Sequence, residues 1–253
     1  MTTDRTVDLE DRWLRRFHRA EQARVRLVCL PHAGGSASYF FPLSHRLAPE
    51  AEVLAVQYPG RQDRHTEPLF GDLGEAADRI AEALLLWNDL PVALFGHSMG
   101  ATIGFEVARR LEAAGTVPVA LFASGRRAPS RVRDEGIHRL ADREFLAEMV
   151  SLGGASEVLL KDPEMLRLYL PVVRGDYRTA ETYRYQEGPA LTCPVVGLTG
   201  DRDKQAEIEN VAAWAEHTTG PFELEVFPGG HFYLNDAPAV TDLVRDRLLA
   251  LTG

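Results

Sequence analysis

A serine, a carboxylate and a histidine that could together cleave an acyl bond each stand at the end of a strand-like run in this chain. The serine is Ser98, within Leu94-Phe95-Gly96-His97-Ser98-Met99-Gly100-Ala101. Residues 91–95 are a short apolar run, as expected of a buried strand. Residues 102–111 carry helical spacing, with Ile103, Phe105, Val107, Ala108 and Leu111 as apolar members. Gly96, Ser98 and Gly100 thus form a G-x-S-x-G pattern between strand and helix. That context suits a nucleophile on a strained turn, flanked by small residues that let the helix pack close and leave the hydroxyl exposed.

A serine hydroxyl needs a base within hydrogen-bond reach, best supplied by a histidine that a buried carboxylate holds in one tautomer. On a strand–turn–helix scaffold of this kind the chain order is serine, acid, histidine. A strand-like run at 193–199 leads into Gly200-Asp201-Arg202-Asp203-Lys204, and a last strand at 222–227 ends in Pro228-Gly229-Gly230-His231-Phe232. Ser98, one of the two aspartates and His231 satisfy the order, and Gly229-Gly230 lets the loop bend the imidazole back toward the serine. Asp201 and Asp203 both qualify as the acid. The later residue has travelled further from the strand end toward the histidine, so Asp203 is assigned. Asp201 is expected to shape the turn through its own backbone hydrogen bonds. The glycine-bearing loop Pro31-His32-Ala33-Gly34-Gly35-Ser36-Ala37 follows an early strand at 25–30, where a second oxyanion donor belongs. The backbone N–H groups of Ala33 and of Met99 are the expected donors. His32 fits a substrate contact and a hydrogen-bonded loop residue equally well.

These residues need a sheet to bring them together. Further strands read at 52–56 and 117–123. Helices read at 72–87 (Leu73, Ala76, Ile80, Ala83, Leu84 and Trp87 on one face), 207–217 and 237–251. Such alternation predicts an α/β fold: a mostly parallel sheet with helices on both faces and its sites at the C-terminal strand ends. The rhythm breaks at 126–189. There, apolar stripes give helices at 139–152 (Leu140, Phe145, Met149, Leu152) and 164–177 (Met165, Leu168, Tyr169, Val172), separated by Gly153-Gly154. Pro171 is expected to kink or split the second helix. This segment reads as an inserted helical lid, with Tyr169, Tyr177, Tyr183 and Tyr185 as candidates to line a pocket. Trp13 to Phe17 reads as a short arm packed across the body. With no repeat, low-complexity tract or linker, residues 1–253 are expected to form one domain.

The 253 residues are 45% hydrophobic, enough for a sizeable core, and the net charge of −9 argues against nucleic acid as a main partner. Cys29 and Cys193 lie beside apolar runs and read as packing residues. No stretch looks like a signal peptide or a membrane span, which predicts a cytoplasmic protein. His18, His45, His65, His138 and His217 sit in helical or polar contexts and are expected at the surface. No His/Cys/Asp cluster has metal-ligand spacing.

Pro31-His32-Ala33-Gly34-Gly35, Tyr58-Pro59-Gly60-Arg61, Gly96-His97-Ser98-Met99-Gly100, Gly200-Asp201-Arg202-Asp203 and Gly229-Gly230-His231-Phe232 together resemble the type II thioesterases. These are free-standing editing enzymes that accompany modular polyketide synthases and nonribosomal peptide synthetases. The resemblance runs from Trp13 to the closing helix and implies an α/β-hydrolase fold. It carries the triad over as Ser98, Asp203 and His231, and the oxyanion amides as Ala33 and Met99. It also implies hydrolysis of short acyl groups from the phosphopantetheine arm of an acyl or peptidyl carrier protein, with no cofactor. A monomer is the default expectation. Arg126, Arg127, Arg131 and Arg133, just past a strand end, are a candidate basic patch for an acidic carrier, against the plainer reading of a solvated charge run. The rival function is a small-molecule carboxylesterase with the same triad.

Overall fold

The computed structural model describes residues 12–48, 50–87, 89–133, 135–154, 162–235 and 238–252. Within these, seven strands form one sheet: β1 (Leu14–Arg16), β2 (Arg26–Leu30), β3 (Glu52–Val56), β4 (Val92–His97), β5 (Ala120–Ser124), β6 (Val195–Gly200) and β7 (Phe222–Phe227). Their spatial order is β1-β3-β2-β4-β5-β6-β7. All neighbours pair in parallel except β1 with β3, where Leu14 faces Val56 and Arg16 faces Leu54. The arm expected around Trp13 is therefore an antiparallel edge strand, too short to announce itself by alternation. Arg64 stacks over the Trp13 ring at 4.6 Å from its centroid.

Strands β2 to β6 are buried throughout. Side chains alternate across a sheet, so each of these strands feeds two cores. Val28, Leu30, Leu94 and Leu121 face one core, covered by α2 (Leu73–Leu84) and α3 (Met99–Ala113) through Ile80, Leu84, Ile103 and Val107. Leu27, Cys29, Phe95 and Phe122 face the other, covered by α1 (Phe41–Leu47) and α7 (Pro238–Thr252) through Leu47, Val240, Val244 and Leu248. Asp72 caps α2 by accepting from the Glu75 N–H at 2.9 Å. Cys29 and Cys193 are buried free thiols.

Between β5 and β6 lie α4 (Asp142–Ser151) and α5 (Pro163–Thr182). They share a small core of Ile137, Phe145, Met149 and Val173. Of the two outcomes expected at Pro171, the split does not occur: α5 runs 20 residues without interruption. Pro171 and Arg167 are both on the exposed side, so water can satisfy the carbonyl that the missing N–H leaves free. The expected stripe also turns: Met165 and Leu168 are 52% and 65% exposed, whereas Val173, Asp176, Thr179 and Ala180 are buried. Farther on, the helix expected at 207–217 is α6 (Ile208–Ala212) running into a 3-10 turn at Ala213–His217. His217 is buried rather than superficial. It packs edge-on against Phe105 and Tyr185 and bonds the Ser130 hydroxyl at 2.9 Å. His138 is also largely covered, paired with Glu181.

Candidate active site

In the register of the parallel strands, Leu30 lies beside Gly96, His97 beside Ser124, and Gly200 beside Phe227. The loops that follow these residues consequently emerge along one edge of the sheet. Ser98 is the first residue after β4 and has φ 54° and ψ −118°, a conformation that L-residues rarely adopt. Its N–H donates to the Ser124 carbonyl at 2.8 Å. The turn is possible because both flanking positions are glycine. A Cβ on Gly96 would lie 2.2 Å from the Gly100 carbonyl oxygen, and one on Gly100 would lie 2.0 Å from that of Leu30.

Ser98 Oγ is 3.0 Å from His231 Nε2, and His231 Nδ1 is 2.9 Å from Asp203 Oδ2. A carboxylate only accepts, so Nδ1 carries the proton and Nε2 is free to accept from the serine. Asp203 and His231 are 4% and 8% exposed. The other Asp203 oxygen accepts from the N–H groups of Gln205 at 2.8 Å and Ala206 at 3.2 Å, which fix the carboxylate. Asp201 does not touch the histidine. Its Oδ1 instead accepts from the Gly229 N–H at 2.8 Å, so it pins the histidine loop rather than its own turn. Gly200 makes that approach possible, since a Cβ there would meet the carbonyls of Gly229 and Gly230 at 2.5 Å.

Ser98, His231, Ala33 and Met99 all line a cavity of about 40 Å³, with Gly125, Arg126, Tyr177 and Glu181 among its other walls. Among the described residues, neither the Ala33 N–H nor the Met99 N–H has a hydrogen-bond partner. Of the four tyrosines considered, Tyr177 lines this cavity, and Tyr183 lines the groove beside it. Tyr169 touches the loop at Gly34, and Tyr185 packs on His217. Among the described residues no three His, Cys, Asp or Glu side chains are grouped as a metal site requires.

Sequence reasoning did not foresee what surrounds the histidine. His97 lies 5.1 Å from His231, ring to ring, and His32 lies 5.9 Å from His97. Burial, reinforced by His231, holds His97 well below the ordinary imidazole range and His32 down at about 3, so both are neutral. His97 Nδ1 bonds Ser124 Oγ at 2.9 Å, which in turn bonds the Tyr233 hydroxyl at 2.6 Å. His32 is caged edge-on by Tyr39 and Phe232. The glycine after Ser124 is required here too, because a Cβ on Gly125 would sit 2.6 Å from the His97 ring.

The arginine patch is not a free basic surface. Arg127 and Arg133 pair with Glu135 at 2.8 and 3.2 Å, and Arg131 pairs with Glu216. Arg126 differs: it donates to Thr102 Oγ1 at 3.0 Å and to the Ala180 carbonyl at 3.2 Å, and burial lowers its guanidinium to about 10. It lines both the cavity at Ser98 and the adjoining groove.

Known proteins similar to this chain in sequence and fold are thioesterases. A thioesterase-domain family model matches residues 25–248. Thioesterase PikA5 of Streptomyces venezuelae is 50% identical over 255 residues, covering 99% of this chain and 91% of that protein. The solved structure of the type II thioesterase BorB from the borrelidin biosynthetic cluster superposes with a TM-score of 0.87 at 49% identity, covering 93% of this chain and 97% of BorB. YbtT, a type II thioesterase from the yersiniabactin NRPS/PKS pathway, gives a TM-score of 0.83 at 30% identity, covering 94% of this chain and 98% of YbtT. This chain therefore belongs to the thioesterase family, in its type II branch, and is a thioester hydrolase built on the α/β-hydrolase fold.

Proposed function

We propose that this enzyme releases short acyl groups from the phosphopantetheine arm of acyl or peptidyl carrier proteins, and so clears stalled polyketide or nonribosomal peptide synthases. The observation that carries the reading is the Asp203–His231–Ser98 relay opening into a small cavity beside two unused backbone N–H groups. His231 Nε2 takes the Ser98 proton as Oγ attacks the thioester carbonyl. The N–H groups of Ala33 and Met99 stabilise the oxyanion. His231 then protonates the departing phosphopantetheine sulfur, leaving an acyl-Ser98 ester. In the second half, water gives its proton to His231 and attacks the ester, which releases the acid and restores Ser98. Asp203 stays ionised throughout and orients the imidazole.

The cavity at Ser98, about 40 Å³, is small, which favours short acyl groups. The groove lined by Arg126, Arg127 and Tyr183 shares Arg126, Glu135, Ala180 and Glu181 with that cavity and offers the arm a path inward. The described residues between 126 and 189 act as a lid inserted into one hydrolase domain, residues 134 and 155–161 of that span lying outside the described set, and the enzyme works as a cytoplasmic monomer. Among the described residues no helix is long and apolar enough to cross a membrane. The relatives named for the borrelidin cluster and the yersiniabactin pathway support a synthase-linked role. The test is release of acetyl or propionyl groups from an acylated carrier protein, with Ser98→Ala as control and p-nitrophenyl acetate alongside. Carrier deacylation that vanishes in the variant is expected. Turnover of the ester alone would make this a small-molecule esterase.

A further inference from the structure

One buried charge pair lies outside the chemistry above. Arg61, from Tyr58-Pro59-Gly60-Arg61, and Asp176, on α5, are 7% and 1% exposed. They meet fork to fork, Nη1 to Oδ2 at 2.6 Å and Nη2 to Oδ1 at 2.9 Å. Replacing such a pair by apolar residues is often harmless to stability, so its presence asks for another explanation. The remaining bonds of the pair supply one. Asp176 Oδ2 also accepts from the Gly34 N–H at 2.8 Å, and Arg61 Nη1 also donates to the Gly35 carbonyl at 3.1 Å.

Gly34-Gly35 is thus held at both polar ends, the N–H by the carboxylate and the C=O by the guanidinium. The Gly35 N–H in turn donates to the His32 carbonyl at 2.9 Å. That carbonyl belongs to the same planar peptide unit as the Ala33 N–H, so fixing one end fixes the direction of the other. On the far side the Tyr58 hydroxyl donates to the Pro31 carbonyl at 3.2 Å. Helix α5 also seats directly on the loop. Gly34 has φ +77°, and a Cβ there would lie 2.9 Å from both Tyr169 Oη and Val173 Cγ2.

We propose that Asp176 and Arg61 are positioning residues that aim the Ala33 N–H, which makes α5 part of the scaffold of the oxyanion hole. The inference rests on the reading of Ala33 as an oxyanion donor. It makes covering and competence one event: the site can stabilise a tetrahedral intermediate only while α5 is seated on the loop. A substrate that displaces α5 would bind without being hydrolysed.

The test replaces the pair without leaving a lone buried charge. The Arg61→Met/Asp176→Leu double variant is compared with Asp176→Asn and wild type, each checked for folding by thermal melting. Two readouts are taken: kcat and KM for an acyl N-acetylcysteamine thioester, and affinity for an alkylboronic acid that forms a tetrahedral adduct on Ser98, set against the matching carboxylic acid. The double variant is expected to melt within a few degrees of wild type. It should lose kcat and boronic-acid affinity by about 10²-fold, the order of one oxyanion donor, while KM and carboxylic-acid affinity move less than about threefold. Asp176→Asn keeps an acceptor for Gly34 and should fall between. A folded double variant, or a folded Asp176→Asn if the double variant does not fold, with wild-type kcat and boronic-acid affinity overturns the clamp alone. A wild-type enzyme that binds the boronic acid no more tightly than the carboxylic acid overturns the oxyanion reading and the clamp with it.

Discussion

Gly100→Ala isolates the close approach that the serine turn depends on. A Cβ at Gly100 would lie 2.0 Å from the Leu30 carbonyl oxygen and 2.7 Å from that of Pro31. It is about 1.4 Å short of ordinary van der Waals contact, and both obstacles are backbone. The first turn of α3 must back away from the end of β2, and Met99 moves with it. Overpacking of this kind costs about 1–3 kcal/mol, or a few degrees of Tm per kcal/mol in a chain of this size, so the variant should still fold. A displacement near 1 Å at a reacting centre is worth about 10²-fold in rate, and loss of one oxyanion donor about 10²–10³-fold. Expected, then, is a kcat at least about 100-fold below wild type on a short acyl thioester, measured by thiol release. Gly104→Ala is the control. Its Cβ would meet only side-chain tips, Leu121 Cδ1 at 3.3 Å and Leu30 Cδ1 at 3.5 Å, and alanine gains about 1 kcal/mol of helix propensity over glycine. That variant should keep both stability and kcat. Wild-type kcat in Gly100→Ala, or an equal loss in Gly104→Ala, would show that the serine turn does not depend on this close approach.

Asp203→Asn should lower kcat by about 10⁴-fold, because the amide can donate to His231 Nδ1 and so enforce the wrong tautomer. Asp201→Asn keeps an acceptor for the Gly229 N–H and should cost less than about tenfold; steady-state rates in the reverse order would move the acid to Asp201. His32 holds its proton only below about pH 3, whereas an unfolded histidine titrates near 6.5. Between those values the unfolded chain binds the extra proton, so stability rises with pH through the window and is lost as pH falls through it. The slope from His32 is at most about 1.4 kcal/mol per pH unit. Denaturant unfolding at pH 7 and pH 5 should show the loss, and His32→Asn should shrink it; an unchanged slope in the variant would mean that His32 is not held neutral.

The alternation of parallel strands with helices, the serine turn and the Ser98–His231–Asp203 grouping were legible in the sequence because each rests on local chemistry. Two-sided burial writes β4 and β5 as apolar runs, and the glycines at 96, 100, 200 and 229 mark backbones that approach each other. Choosing Asp203 over Asp201 needed only the direction of the turn. What stayed hidden depends on contacts distant in sequence. Asp176 sits in a helical pattern where an apolar residue would fit, and nothing nearby reveals that its partners are Arg61 and Gly34, 115 and 142 positions away. His217 looked polar because its neighbours in the chain are, yet Phe105 and Tyr185 enclose it. The edge strand β1 is three residues long and offers no period to read. Whether the arginines past β5 form a basic patch or a solvated charge run stays open in the sequence, because the pairing of Arg127 and Arg133 with Glu135, and of Arg131 with Glu216 85 residues further on, depends on how the loop folds.

In the proposed reaction Ser98 takes the acyl group directly from a carrier-bound thioester. Rapid mixing of the enzyme with propionyl-carrier protein, acid quench and peptide mass mapping tests it. A propionyl mass increment is expected on the peptide containing Ser98 within the first turnover, chased by release of propionate and absent in Ser98→Ala. Carrier deacylation at full rate with no acyl-enzyme formed, with the increment on another residue, or undiminished in Ser98→Ala would contradict it.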